Sequence, residues 1–155
     1  MYLRIECDPM GRKIEYLVSA CLCGIPCRYD GKSSLDPQVE RLVRAGKAIP
    51  MCPEVLGGLP IPRTAMDIAW GEGKDVLTGD APVISRSGEH VTPFLLQGAF
   101  TSLKIAQRFG VKKAILKQRS PSCGCGQIKR KGKSAEGDGV TAALFKRQGI
   151  EVVAR

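Results

Sequence analysis

A single histidine, His90, serves the whole chain of 155 residues. Zinc sites built on several histidines are therefore excluded, and a Ser-His-Asp triad is argued against. Aromatic residues make up only 5%, with one tryptophan and three tyrosines. The core must be aliphatic, and no stacking platform for single-stranded nucleic acid is evident. No apolar run approaches the roughly 18 residues that cross a bilayer. The first residues, with Arg4, Glu6, Asp8 and Pro9, lack the apolar stretch of a secretory signal. A soluble, cytoplasmic protein with no membrane partner is expected. No C-x-x-C pair occurs, which weakens a thioredoxin-like reading. Internal repeats and low-complexity segments are absent as well.

Hydrophobic residues are plentiful, at 43%, and the length suits one domain with a real core. The expected division is an extension over 1–13 and a single α/β domain over 14–155. Net charge is +9, from 24 Lys+Arg against 15 Asp+Glu. That balance favours anionic partners, nucleotides and RNA among them, or simply a basic solvated surface. The chain carries seven cysteines: Cys7, Cys21, Cys23, Cys27, Cys52, Cys123 and Cys125. In the cytoplasmic setting expected above they favour metal binding or redox chemistry over a disulfide scaffold.

The pattern along the chain alternates strands and helices. A small strand is expected at Tyr2 to Glu6. Ile14 to Ala20 reads as a buried strand that runs into Cys21. Leu22 to Ser34 is loop. Asp36-Pro37 caps a short helix that stops at Gly46. Lys47 to Met51 is a second strand, running into Cys52. Pro53 to Gly73 reads as one long ordered loop or excursion. Val83 to Ser85 and Glu89 to Val91 pair as a hairpin around Ser87-Gly88, with His90 on it. Thr92 caps the clearest helix, whose apolar period runs through Leu96, Ala99, Phe100, Leu103 and Ala106 to Gly110. Val111 to Lys117 is a third strand, feeding Cys123. Gly126 to Gly137 is polar loop. Asp138 caps a last helix ending at Gly149, and Ile150 to Val153 is a final strand. The expected architecture is a single-domain, Rossmann-like three-layer α/β fold with a mostly parallel sheet and a small hairpin excursion. Ligands of such sheets bind beyond the carboxyl ends of the strands. Cys21, Cys52 and Cys123 should therefore meet at one edge.

Several chemistries compete for these thiols. Zinc prefers paired C-x(2–4)-C knuckles, and only Cys23 and Cys27 are so spaced. Cys21/Cys23 and Cys123/Cys125 have one-residue gaps. An iron–sulfur cluster accepts dispersed thiolates, and three ligands on a 4Fe-4S cube leave one iron open. Plain buried thiols are the remaining option. Glu54, two residues after Cys52, suits a general base beside a metal-bound substrate. The stretch Ser120 to Gly126 offers hydroxyls, close backbone approach and amides that could hold an anion. Gly137-Asp138-Gly139 offers a helix start with similar amides. Arg28-Tyr29-Asp30-Gly31 offers a charge pair or an Asx-turn.

Five segments together resemble one family. They are Ser19-Ala20-Cys21-Leu22-Cys23-Gly24, Cys27-Arg28-Tyr29-Asp30-Gly31, Cys52-Pro53-Glu54-Val55-Leu56-Gly57-Gly58-Leu59-Pro60, Ser120-Pro121-Ser122-Cys123-Gly124 and Gly137-Asp138-Gly139-Val140-Thr141-Ala142-Ala143-Leu144. The family, long catalogued only as a domain of unknown function, includes the thiouracil desulfidases, and the resemblance spans roughly Ile14 to Val153. It implies a 4Fe-4S enzyme that removes sulfur from a thiolated pyrimidine without net redox change. It implies Cys21, Cys52 and Cys123 as cluster ligands, with Cys27 in reserve. In the mechanism the resemblance implies, sulfur would be captured on the open iron while water attacks the carbon. Glu54 activates water or moves protons, and Ser120 or Ser122 holds the substrate or the departing sulfur. A soft iron site would select sulfur over oxygen. Two features depart from the pattern. Cys23 and Cys125 stand where apolar residues are expected. Lys129-Arg130-Lys131-Gly132-Lys133 replaces a turn bearing tyrosine and aspartate, which extends the expected substrates to a thiolated nucleotide or RNA base. The competing functions are a non-catalytic metal or persulfide carrier of sulfur metabolism and a basic RNA-binding domain.

Overall fold

The computed structural model describes residues 11–155. The strand expected at Tyr2 to Glu6, and Cys7, lie outside the described residues. In chain order the elements are β1 (Tyr16–Ser19), a 3-10 turn (Ala20–Cys23), α1 (Pro37–Arg44), β2 (Ala48–Met51), α2 (Pro53–Leu56), β3 (Met66–Ile68), α3 (Gly73–Thr78), β4 (Val83–Ser85), α4 (Thr92–Arg108), β5 (Lys113–Leu116), β6 (Gln127–Arg130), β7 (Lys133–Glu136), α5 (Val140–Arg147) and β8 (Glu151–Ala154). Four of these strands form a parallel sheet in the order β2-β1-β5-β8. No described helix is long and apolar enough to cross a membrane.

Both faces of the sheet are covered, as parallel sheets require. Side chains alternate along a strand, so neighbours in β1 enter different cores. Leu17 joins Ala114 and Leu116 under α4 and α5, with Leu95, Ala99 and Phe145. Val18 joins Ile115 under α1, with Val39, Leu42 and Val43. This is the expected three-layer, Rossmann-like layout. Asp36 caps α1 as its sequence suggests, its carboxylate accepting from the amides of Gln38 at 2.9 Å and Val39 at 3.4 Å.

Several local expectations are corrected. The segment Pro53 to Gly73 is no simple loop. It holds α2 and β3, and β3 pairs antiparallel with β4. Residues 83–91 do fold back around Gly88, but only one bridge, Ile84 to His90, forms there. Residues 126–137, expected as loop, form the β6–β7 hairpin. Its two-residue turn is Lys131-Gly132, both at positive φ (51° and 79°), the geometry that matches strand twist. Thr92 does not cap α4. It is the first helical residue, and its hydroxyl accepts from the Val83 amide at 2.9 Å, tying the helix to β4. Within α4 the buried stripe is Leu95, Ala99, Leu103 and Ala106, while Phe100 faces outward. Asp138 does not cap α5 either, since Gly139 occupies that position.

The excursion between β2 and α4 is clamped by a close crossing. A β-carbon at Gly98 of α4 would collide with the backbone carbonyl of Pro53. The missing side chain lets α2 lie directly on α4, and α2 carries Glu54.

Candidate active site

β1, β2 and β5 end at the same edge of the sheet. The chain passes from β1 out to β2, then returns across β1 to reach β5. That reversal makes a crevice beyond the strand ends, the usual ligand position in open α/β sheets. Here it is a cavity of about 420 Å³, lined by Cys21, Cys27, Cys52, Glu54, Ser120, Ser122 and Cys123 among others. Cys21 sits in the 3-10 turn that follows β1 directly. Cys52 is the first residue after β2. Cys123 lies in the tight turn after β5, and Cys27 returns from the loop after the 3-10 turn. The four candidate ligand cysteines, Glu54, Ser120 and Ser122 are thus brought to one cavity.

Cys21, Cys27 and Cys123 are buried, and Cys52 is half-buried. The surroundings of Cys27, Cys52 and Cys123 raise their thiols above the ordinary value. The hydrogen bond Cys27 makes to Cys21 pushes its thiol up to about 11, with burial adding and the bond from Cys52 opposing. Cys52 is pushed up by its bond to Cys27 and by burial. Burial pushes Cys123 up to about 12, against hydrogen bonds from Ser19 and Ser122. A bound cation would invert this balance, because a coordinating thiol loses its proton.

Glu54 stands beside the thiols. Its Oε1 accepts from the Ser122 hydroxyl at 3.4 Å, and Ser122 in turn meets the Cys123 sulfur at 3.8 Å. The Ser120 and Ser122 hydroxyls are 3.0 Å apart. The other carboxylate oxygen, Oε2, is held by Arg63, whose Nε donates at 3.0 Å and whose Nη2 is also in contact. Both side chains are nearly buried, Arg63 at 4% and Glu54 at 12% exposure.

The expected anion sites are filled by the protein itself. Within Ser120 to Gly126 the amides of Ser122 and Cys123 donate to the Ser120 hydroxyl, both at 3.1 Å. Cys125 donates to Gln118 and Gly126 to Asp138, both at 2.8 Å. At the start of α5, the amides of Val140 and Thr141 donate to the carbonyls of Pro121 and Ser122. Most amides of both segments are thus engaged within the protein. Asp138 instead clamps Gly126 and Lys146. At Asp30 the Asx-turn is present, with the Lys32 amide donating to Oδ1 at 3.0 Å. Cys23 and Cys125 lie outside the cavity. Cys23 donates to the Ala20 carbonyl at 3.1 Å, and Cys125 lies 3.9 Å from the Val152 carbonyl oxygen. His90 is exposed on its turn.

Two kinds of residue escaped the sequence reading. Ser19 links the ends of β1 and β5, its hydroxyl accepting from the Lys117 amide at 2.9 Å. Arg63, Lys117 and Arg119 line the cavity with Arg28 and Lys129, giving it a cationic wall. Burial among these cations lowers the Lys117 pKa. Only fold-level placement reveals them, since Arg63 sits in a proline-rich stretch with no spacing signal.

The donor set, four thiols beside one carboxylate, suits a soft metal group. Among the described residues no three Cys, His, Asp or Glu side chains close to single-ion spacing. The thiols ring a cavity wall instead. A parallel α/β sheet with thiols at three strand ends, a carboxylate and paired hydroxyls between them, defines a thiol-centred α/β enzyme. The profile of the 2-thiouracil desulfurase family matches residues 16–155, and the chain belongs to that family. It is 44% identical over 140 residues to an uncharacterised Bacillus subtilis (strain 168) protein, YbbK, covering 88% of this chain and 93% of that one. It is also similar to a solved structure described as the [4Fe-4S]-dependent thiouracil desulfidase TudS. That match has a TM-score of 0.80 and 39% identity, covering 92% of this chain and 91% of the other.

Proposed function

We propose that this enzyme hydrolyses the C–S bond of a thiolated pyrimidine of thiouracil or thiouridine type, using a 4Fe-4S cluster held by Cys21, Cys52 and Cys123. The observation that carries this reading is the convergence of three strand-end thiols on one cavity beside Glu54. Family membership and the likeness to TudS support it. Bound by three thiolates, the cluster would leave one iron without a protein ligand, a Lewis-acid position with affinity for sulfur.

The chain's own residues supply the remainder. The overall change is C=S plus water giving C=O plus hydrogen sulfide, so one C–S double bond is replaced and no electrons are transferred. Glu54 takes a proton from the attacking water at Oε1, the oxygen left free by Arg63. Ser122, hydrogen-bonded to both Glu54 and Ser120, orients the substrate or the departing sulfur. A fixed carboxylate contributes about 10²–10⁴-fold as a general base. The cationic wall of Arg28, Lys117, Arg119 and Lys129 favours substrates with negative charge, so a thiolated nucleotide fits as well as a free base. An RNA-binding domain is the weaker reading. Arg130 is committed to the Ile68 and Gly71 carbonyls and Lys129 lines the cavity, which leaves Lys131 and Lys133 at the hairpin tip for a phosphate backbone.

Glu54→Gln tests the reading against a carrier that merely holds metal or persulfide. The expected result is a normal iron and sulfide content with turnover reduced about 10²–10⁴-fold. Full turnover of thiouracil and thiouridine in that variant would overturn the role given to Glu54.

A further inference from the structure

Arg63 makes more contacts at the site than any sequence motif suggested. Besides engaging Glu54 Oε2 through two nitrogens, its Nη2 donates to the Cys27 carbonyl at 3.0 Å and its Nη1 to the Pro60 carbonyl at 3.2 Å. Its own backbone amide donates to the Tyr29 carbonyl at 2.9 Å. Every guanidinium nitrogen is committed and the side chain is 4% exposed, so the group has one position. It joins the Cys27 loop, the start of α2 and its own proline-rich segment.

The consequence falls on Glu54. A carboxylate on a two-carbon stem can rotate to offer either oxygen. Here Oε2 is taken by Arg63, and Oε1 is left to meet Ser122 at 3.4 Å. We infer that Arg63 is a positioning residue that fixes which oxygen of Glu54 meets the water. The inference rests on the reading of Glu54 given above. An arginine is required because a planar fork can hold one oxygen and two backbone carbonyls together, whereas a lysine ammonium is a point charge on a flexible stem.

The test uses the reconstituted enzyme with Arg63→Gln, Arg63→Lys, Glu54→Gln and the Arg63→Gln/Glu54→Gln pair. A misplaced catalytic group costs on the order of 10²-fold. Arg63→Gln should therefore keep its iron, lose about 10²-fold in kcat and change KM by less than about threefold. Arg63→Lys should recover part of that loss, and it decides the matter if Arg63→Gln does not fold. In the Glu54→Gln background, Arg63→Gln should cost less than about twofold more, since residues acting as a unit are non-additive. A crystal structure of the metal-free Arg63→Lys chain should show Glu54 turned away from Ser122. Equal losses in both backgrounds, or full kcat in Arg63→Lys with Glu54 unmoved, would overturn the inference while leaving the Glu54 reading intact. Full turnover in Glu54→Gln alone would instead remove the reading on which it rests.

Discussion

Gly139→Ala adds one methyl group at the point where α5 presses on the Cys123 turn. Its β-carbon would stand 2.6 Å from the Ser122 carbonyl carbon, 2.7 Å from that oxygen and 2.9 Å from the Cys123 amide nitrogen. All three atoms are backbone, so no rotamer change relieves the contact. Gly139 itself sits at φ −69°, which alanine adopts freely, so the effect is steric alone. Ordinary contact begins near 3.4 Å, so the Ser122 carbonyl must retreat by about 0.8 Å. That carbonyl also accepts from the Thr141 and Ala142 amides at 2.8 and 3.3 Å, and both bonds would stretch. Overpacking of this kind costs about 1–3 kcal/mol, a loss of roughly 2–12 °C in Tm for a chain of this size. Metal–ligand distances tolerate about 0.2 Å, so a Cys123 moved with Ser122 should lose its hold on iron. Calorimetry of the metal-free variant gives the first number, and iron and sulfide assays after anaerobic reconstitution give the second. A Gly139→Ala chain with the wild-type Tm and full iron content would refute the reasoning.

Among the thiols, Cys21→Ser, Cys52→Ser and Cys123→Ser should each reconstitute with little iron, while Cys27→Ser keeps its full complement. A Cys27→Ser chain without iron, beside a Cys21→Ser chain with it, would reassign the ligands. Asp36→Ala should remove the α1 cap, costing about 1 kcal/mol and roughly 2–4 °C with iron content unchanged, and an unaltered melt would contradict the capping geometry. In the metal-free chain the Cys27 and Cys123 thiols titrate above their ordinary value of 9.0, near 11 and 12. Folding therefore retains protons that the unfolded chain releases. Their contribution to stability is full below pH 9.0 and is lost as pH rises through 11 to 12, so urea midpoints should fall across that interval. A rising midpoint would show the sign to be wrong.

The edge that carries the candidate site was legible because parallel strands are short apolar runs, and three of them lead to cysteine. Sheet topology then brings residues far apart in sequence to one cavity. β3 was not legible, because Met66-Asp67-Ile68 is too short to display a period and draws its order from β4. The β6–β7 hairpin is polar on most positions, and Lys131-Gly132 was its one turn signal. Asp138 resembles a helix cap by position, yet its carboxylate is taken by the Gly126 amide and by Lys146 in the last turn of α5. Within Ser120 to Gly126, Gln118 and Asp138 take the Cys125 and Gly126 amides, which look free in the sequence. Arg63 has no motif at all. Its importance exists only once Glu54, Cys27 and Pro60 have been folded around it.

The most direct test of the central claim is anaerobic purification followed by iron and sulfide analysis and a thiouracil assay without added reductant. The account predicts a brown protein with iron and labile sulfide in equal amounts, releasing sulfide and uracil together. A chain that cannot be reconstituted with iron and sulfide, or one fully loaded that turns over only when a reductant is supplied, would contradict it.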